Sequence, residues 1–187
     1  AGATAAYSIS GTDVSVFDID GTSGVLTFKS APDFETKIDS NTDNDYIVIV
    51  TVTDGALTDT QTLTITVTNV DDVAPVITSN GGGSTGSISS FAENSTSAVT
   101  TVTSTDEDNL PGTLYSISGT DAADFNINSS SGALTFKSAP NFESPDDDGT
   151  NNGYIVIITV TDSGNNTDTQ TITVTVTDVN EVPTEIS

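Results

Sequence analysis

The sequence predicts an all-β chain: tandem antiparallel Greek-key β-sandwiches, the first lacking its opening strands. Three observations carry that expectation. Thr alternates with β-branched residues through the apolar segments, turn residues interrupt them at roughly 8–12-residue spacing, and the chain repeats itself at the length of a small domain. "YSISGTD" at Tyr7 to Asp13 returns at Tyr115 to Asp121, and "SGVLTFKSAPDFE" at Ser23 to Glu35 returns as "SGALTFKSAPNFE" at Ser131 to Glu143. Tyr7 to Tyr115 and Glu35 to Glu143 are both offsets of 108 residues, too long for a solenoid unit and right for a whole domain.

Within each repeat the strands follow in order. Turns are marked by "GTSG" at Gly21, "DGA" at Asp54 and "SSSG" at Ser129. Tyr46, Val48, Val50 and Val52 alternate with Ile47, Ile49 and Thr51, and Leu63, Ile65 and Val67 alternate with Thr62, Thr64 and Thr66. That period of two gives each strand one buried and one wet face. The second copy repeats both patterns with Tyr154, Val156, Ile158 and Val160 and with Ile172, Val174 and Val176. No segment carries a capped apolar stripe of helical period. Ahead of its Tyr115 the second copy holds a leading segment, Ser87 to Asn109, that has no counterpart before Tyr7. The expected boundaries are 1–74 for an incomplete repeat, 75–182 for a complete one, and 183–187 for the start of a third.

Composition narrows the chemistry. The 187 residues carry 3 cations (Lys29, Lys37 and Lys137) against 27 acids, a formal charge of -24. Such a surface has no cation cluster to displace counterions from nucleic acid, and the same sign argues against anionic membrane. It attracts cations. With no Cys and no His there is no disulfide framework and no imidazole base or zinc ligand. Apolar runs such as "YIVII" at Tyr154 to Ile158 are far short of the ~20 residues of a membrane helix. The acidic, Thr-rich make-up fits a large extracellular bacterial protein, so secretion or cell-surface location is expected.

The acids then need an explanation. In an extended chain residues i and i+2 share a face, so Asp33 and Glu35, Asn69 and Asp71, and Asp106 and Asp108 are each a pair of oxygen donors. Asp72 stands beside Asp71 just before Pro75, and Asp162 closes "IVIITVTD". Calcium takes 6–8 oxygens drawn from several segments. Donors at strand ends are suitably placed to converge on Ca²⁺ at a junction of two domains, where ions would turn mutual repulsion into a rigid joint.

In these motifs the chain resembles the cadherin repeat family, a cadherin- or immunoglobulin-like sandwich. "FAEN" supplies Glu93 as the early Glu of a repeat, and "PDFE" and "PNFE" supply Asp33 with Glu35 and Asn141 with Glu143. "NVDDVAP" corresponds to the inter-repeat linker with Asn69, Asp71 and Asp72, and "DVNEVP" repeats it with Asp178, Asn180 and Glu181. "STDEDN" gives Asp106 and Asp108, and "TVTD" gives Asp54 and Asp162. The resemblance implies Ca²⁺ chelated by Asp33, Glu35, Asn69, Asp71, Asp72, Asp106, Asp108 and Asp162. It implies a further half-site of Glu93, Glu143, Asp178, Asn180 and Glu181. Asn69 and Asn141 replace acids of the family pattern, which implies weaker binding, and the first repeat has no counterpart of Glu93.

Other readings are weaker. Asp33 and Glu35 could meet the spacing of a glycosidase pair, but both repeats carry a version of the pair and no His, Cys or Arg assists, so no enzyme is expected. "PDDDGTNNG" at Pro145 to Gly153 lacks the trailing Glu of an EF-hand and reads first as a disordered hairpin tip. Asn94-Ser-Thr matches a glycosylation acceptor, a match that a Thr- and Asn-rich chain often makes by chance. The expected function is a calcium-rigidified structural or adhesive module of a large secreted or surface protein. Its partners would be neighbouring repeats, identical subunits, or a protein or glycan adhesion partner. A sharper expectation is a fibre subunit joined by strand addition at the open edges of the first domain. A carbohydrate-binding accessory module is the alternative.

Overall fold

Residues 4–181 are described in the computed structural model of the protein, so the third-repeat start expected at 183–187 lies outside them. The chain divides into two units, 1–70 and 71–187.

In the first unit β1 (Ala6–Ser10), β4 (Asp45–Asp54) and β5 (Leu57–Thr66) form one sheet in the order β1-β4-β5. The short strands β2 (Phe17–Ile19) and β3 (Leu26–Phe28) pair as a separate ribbon after a single 3₁₀ turn at Val14–Val16. All these pairings are antiparallel. The alternation places Tyr46 and Val48 in the core and Ile47 outside. Tyr46 stands edge-on to Phe17 and Phe28, whose ring centroids are 4.5 Å apart. Such pairs add about 0.5–1.5 kcal/mol to area burial. Leu63, Ile65 and Val67 are only half-buried.

The second unit repeats this plan and adds to it. Its larger sheet runs β10 (Leu114–Ser118), β13 (Gly153–Thr161), β14 (Thr167–Thr177), β7 (Thr85–Ala92). The opposing sheet runs β11 (Phe125–Ile127), β12 (Ala133–Phe136), β8 (Ala98–Thr101), and β6 (Val76–Ile77) pairs with β9 (Ser104–Thr105). Pairing is antiparallel except between β7 and β14, which run parallel with a register slip between Val174 and Val176. The sheets close over Phe125, Leu134, Tyr154, Val156, Ile172 and Val174, all essentially inaccessible to water. Each such side chain contributes about 1.5–3 kcal/mol relative to exposure. The protein is all-β, a β-sandwich fold.

Repeated polar residues explain why "SGTD" recurs. Gly11 and Gly119 take φ of +114° and +108°, and a Cβ at either would meet a strand backbone at 3.2–3.3 Å. The following acid is buried: Asp13 accepts from the amides of Ser40 and Ile47, and Asp121 from those of Asp148 and Ile155. Pro145 to Gly153 is therefore not a disordered tip. Asp147, also buried, accepts from the amides of Asn151 and Asn152 at 3.0 Å, as Asp39 does from Asp43 and Asn44 in the first unit. A carboxylate inside a tight loop satisfies amides that no strand can reach.

Candidate metal centre

One group of carboxylates gathers at the start of the second unit. Asp162 closes β13 and is positioned by the turn that follows: Asn166 donates its amide to Oδ1 at 2.7 Å and its side-chain Nδ2 to Oδ2 at 3.0 Å. Asn166 Nδ2 also reaches the carbonyl of Asp71 at 3.2 Å, while the Ser163 hydroxyl donates to Asp71 Oδ2. Between these two residues Gly164 lets the Asp71 carbonyl in so closely that a Cβ would lie 2.2 Å from it. Asp106 follows β9 and accepts from the Asp108 amide at 3.1 Å. Asp108 is buried, and its Oδ2 accepts from the amides of Asp72 and Val73 at 3.1 and 2.8 Å, folding the start of the unit onto this loop.

The outcome is that Asp71, Asp106 and Asp162 each bring one carboxylate oxygen within 4.8 Å of the other two. Asp71 Oδ1 is shielded from solvent and has no hydrogen-bond partner among the described residues. Burial pushes the Asp106 carboxyl above the ordinary range. The Asp108 amide opposes the rise, and the charges of Asp108, Asp162 and Asp71 add to it. Anions crowd here because local hydrogen bonds hold each carboxylate in place. A hard divalent cation with oxygen ligands fits this donor set, and the orphaned Asp71 oxygen supports the fit.

A second group lies after β7. Glu93 is 3% exposed, accepts from the amides of Phe142 and Val179 at 2.8 Å each, and so clamps the end of β7 to the segments beside it. Those two bonds hold its carboxyl below the usual range. Glu93, Glu143 and Asp178 offer oxygens within 4.8 Å of one another. At Glu143 a local backbone bond lowers the carboxyl, but burial and the charges of Glu93, Asp178 and Glu181 outweigh it and raise it. Asn180 and Glu181 are exposed and stand outside this trio, with Glu181 accepting from Asn94 Nδ2 at 2.5 Å. In the first unit Asp33 forms a local turn, accepting from the amides of Thr36 and Glu35 at 3.0 Å, which lower its carboxyl. Glu35 and Asn69 are half-buried and Asp72 is exposed.

Sequence reading did not single out Ser163, Gly164 and Asn166, which seat Asp71 and Asp162. The first repeat has Leu57 where the second has Asn166, so comparing the copies carries no signal for it. Asp13, Asp39, Asp121 and Asp147 were legible as repeated acids, and they are structural.

Residues 87–177 match the Cadherin domain family model. No curated protein matches the chain. Among solved structures, human protocadherin-24 EC1-2 aligns with a TM-score of 0.71 at 19% identity, over 95% of this chain and 84% of that one. Drosophila N-cadherin EC1-4 gives 0.71 at 24% over 94% of this chain, and mouse cadherin-23 EC22-24 gives 0.69 at 22% over 94%. The chain spans 42% and 53% of these two longer structures. At such identities the likeness is one of fold. Residues 87–177 are thus similar to a cadherin domain, and the chain as a whole resembles these cadherin structures in fold.

Proposed function

We propose that the protein is a calcium-rigidified structural and adhesive module of a large secreted or cell-surface bacterial protein. The observation that carries this reading is the trio Asp71, Asp106 and Asp162, with a buried Asp71 oxygen that no donor among the described residues satisfies. Three carboxylates held this close without a cation repel one another; Ca²⁺ would supply the missing charge and draw on further oxygens. Asp72 and Asp108 are proposed as additional ligands, and the sequence motifs assign Asp33, Glu35 and Asn69 of the first unit to the same task. Glu93, Glu143 and Asp178, with Asn180 and Glu181 beside them, are proposed as a second calcium site. Strand addition at the first unit is the joint by which such modules would extend into a surface fibre. The carbohydrate-binding alternative gains no support from the aromatic rings: every described Phe and Tyr is buried or half-buried, most of them stacked in the two cores.

Melting the protein across a calcium titration tests the reading. An ion that binds only the folded state raises the midpoint by mass action, by about 2.7 kcal/mol at a hundredfold excess over Kd. The double variant Asp71→Asn, Asp72→Asn should lose most of that rise. A midpoint indifferent to calcium would overturn the proposal.

A further inference from the structure

One polar residue stands between the two segments that carry Glu143 and Asp178. Asn152 ends the loop 147–152 just before β13, and its amide donates to Asp147 Oδ1 at 3.0 Å. Its side-chain Nδ2 donates to the Phe142 carbonyl at 2.9 Å, and its own carbonyl accepts from the Val176 amide at 2.9 Å. The Phe142 carbonyl belongs to the peptide that leads into Glu143, and Val176 lies two residues before Asp178. Glu93 holds the same two segments by taking the amides of Phe142 and Val179. The Phe142 backbone is thus gripped through its N–H by Glu93 and through its C=O by Asn152.

Two demands meet at this position. The backbone takes φ of +64°, which Gly, Asn and Asp tolerate best, and the Phe142 carbonyl is met by a side-chain donor. Gly meets only the first demand, and an ionised Asp has no donor; Asn meets both. The choice has a cost, because Asn152 is 9% exposed and its Oδ1 is buried with no hydrogen-bond partner among the described residues. The first unit makes the same choice. Asn44 takes φ of +68°, donates its amide to Asp39 and its Nδ2 to the Phe34 carbonyl, and accepts from the Val67 amide at 2.9 Å. Its Oδ1 too is buried and without a partner among the described residues. Phe34 precedes Glu35 and Val67 stands two residues before Asn69, so in both units the clamp joins two segments that end in candidate ligands.

We propose that Asn152 is a positioning residue for the calcium site of Glu93, Glu143 and Asp178. Its side-chain amide and its carbonyl fix the spacing of the Glu143 and Asp178 segments before the ion arrives, against the repulsion of three carboxylates whose oxygens lie within 4.8 Å of one another. Asn44 does the same for the segments of Glu35 and Asn69. Partners that orient metal ligands in this way typically change metal affinity about 10–100-fold when removed. The proposal rests on the calcium reading above and adds the residue that holds the ligands in register.

Amide NMR signals of the isotope-labelled full chain, followed while calcium chloride is added, read the two sites separately. Phe142 and Val179, bonded to Glu93, report this site, and Asp72 and Val73, bonded to Asp108, report the other. Asn152→Gly keeps the positive φ and removes the side-chain amide. Its Kd at Phe142 and Val179 should rise about tenfold or more, with that at Asp72 and Val73 unchanged. Asn44→Gly deletes the same bond in the first unit and should leave Phe142 and Val179 at the parental Kd, which controls for general loss of stability. An unchanged Kd at Phe142 and Val179 in Asn152→Gly, or equal weakening at both sites, overturns the proposal. Should that variant fail to fold, the parent decides: its Val176 amide should exchange as slowly in EGTA as in calcium, and free exchange there overturns the proposal. Parent signals at Phe142 and Val179 that ignore calcium overturn the calcium reading of this site and the proposal with it; parent signals that titrate, with the variant following them, overturn the clamp alone.

Discussion

Replacing Asp106 by Asn should stabilise the calcium-free protein and weaken its response to calcium, two effects of opposite sign from one substitution. Asp106 faces Asp71 and Asp162 with oxygens no more than 4.8 Å apart. Two unit charges at that distance repel by about 3 kcal/mol at an effective dielectric of ~20 and by about 1 kcal/mol in full solvent screening. Asp106 is half-buried, and after discounting for solvent its two repulsions together cost the folded state about 1–2 kcal/mol at low salt. Asparagine keeps the shape and an oxygen and removes the charge. Calorimetric melting in EGTA should therefore show a rise of about 4–8 °C, shrinking as salt is added. In saturating calcium the variant has lost an anionic ligand, so the increment from EGTA to calcium should fall well below that of the parent. A drop in the calcium-free midpoint, or an unchanged increment, would refute the claim that these three carboxylates share a cation.

Gly164→Ala would place a Cβ 2.2 Å from the Asp71 carbonyl, forcing Asp71 out of its seat; the calcium increment should shrink in the same assay. Gln170→Ala removes a fully buried amide bonded to Ser79 and Gly83 and should cost about 2–3 kcal/mol, whereas Gln61→Ala in the free chain should cost almost nothing. The pH profile in EGTA should have a maximum. Asp106 and Glu143 have raised carboxyls that count against the folded state while ionised, so stability should rise as pH falls from neutral toward the ordinary carboxylate range. Glu93 and Asp33 have lowered carboxyls whose contribution is lost as pH falls through their folded values, so stability should then decline below about pH 4. In calcium that rise on acidification should vanish, because protons now compete with the ion.

Much of this was legible in the chain itself. The β-sandwich class followed from the alternation of Tyr46 through Val52 and of Ile172 through Val176, because a strand with one buried face must place every second side chain in the core. The repeat was visible in "SGTD" and "TFKSAP", since two copies folding alike must meet the same steric demand at Gly11 and Gly119 and the same amides at Asp13 and Asp121. The acids Asp71, Asp106 and Asp162 could be nominated as oxygen donors from residue type and strand-end position. Their convergence could not: they are far apart along the chain, and only the fold of Asp71 against the turn at Ser163 to Asn166 brings their oxygens together. Tertiary structure also decided which acids are structural: Asp147 and Asp106 look alike in sequence, but two loop amides hold buried Asp147, whereas Asp106 accepts one amide and faces the carboxylates of Asp71 and Asp162. It separated Leu63 from Ile172 as well, two aliphatic residues in equivalent strand positions whose burial depends on whether a neighbouring strand lies over them. Local pattern sets which face of a strand is apolar; what covers that face is a long-range pairing, and no local pattern encodes it.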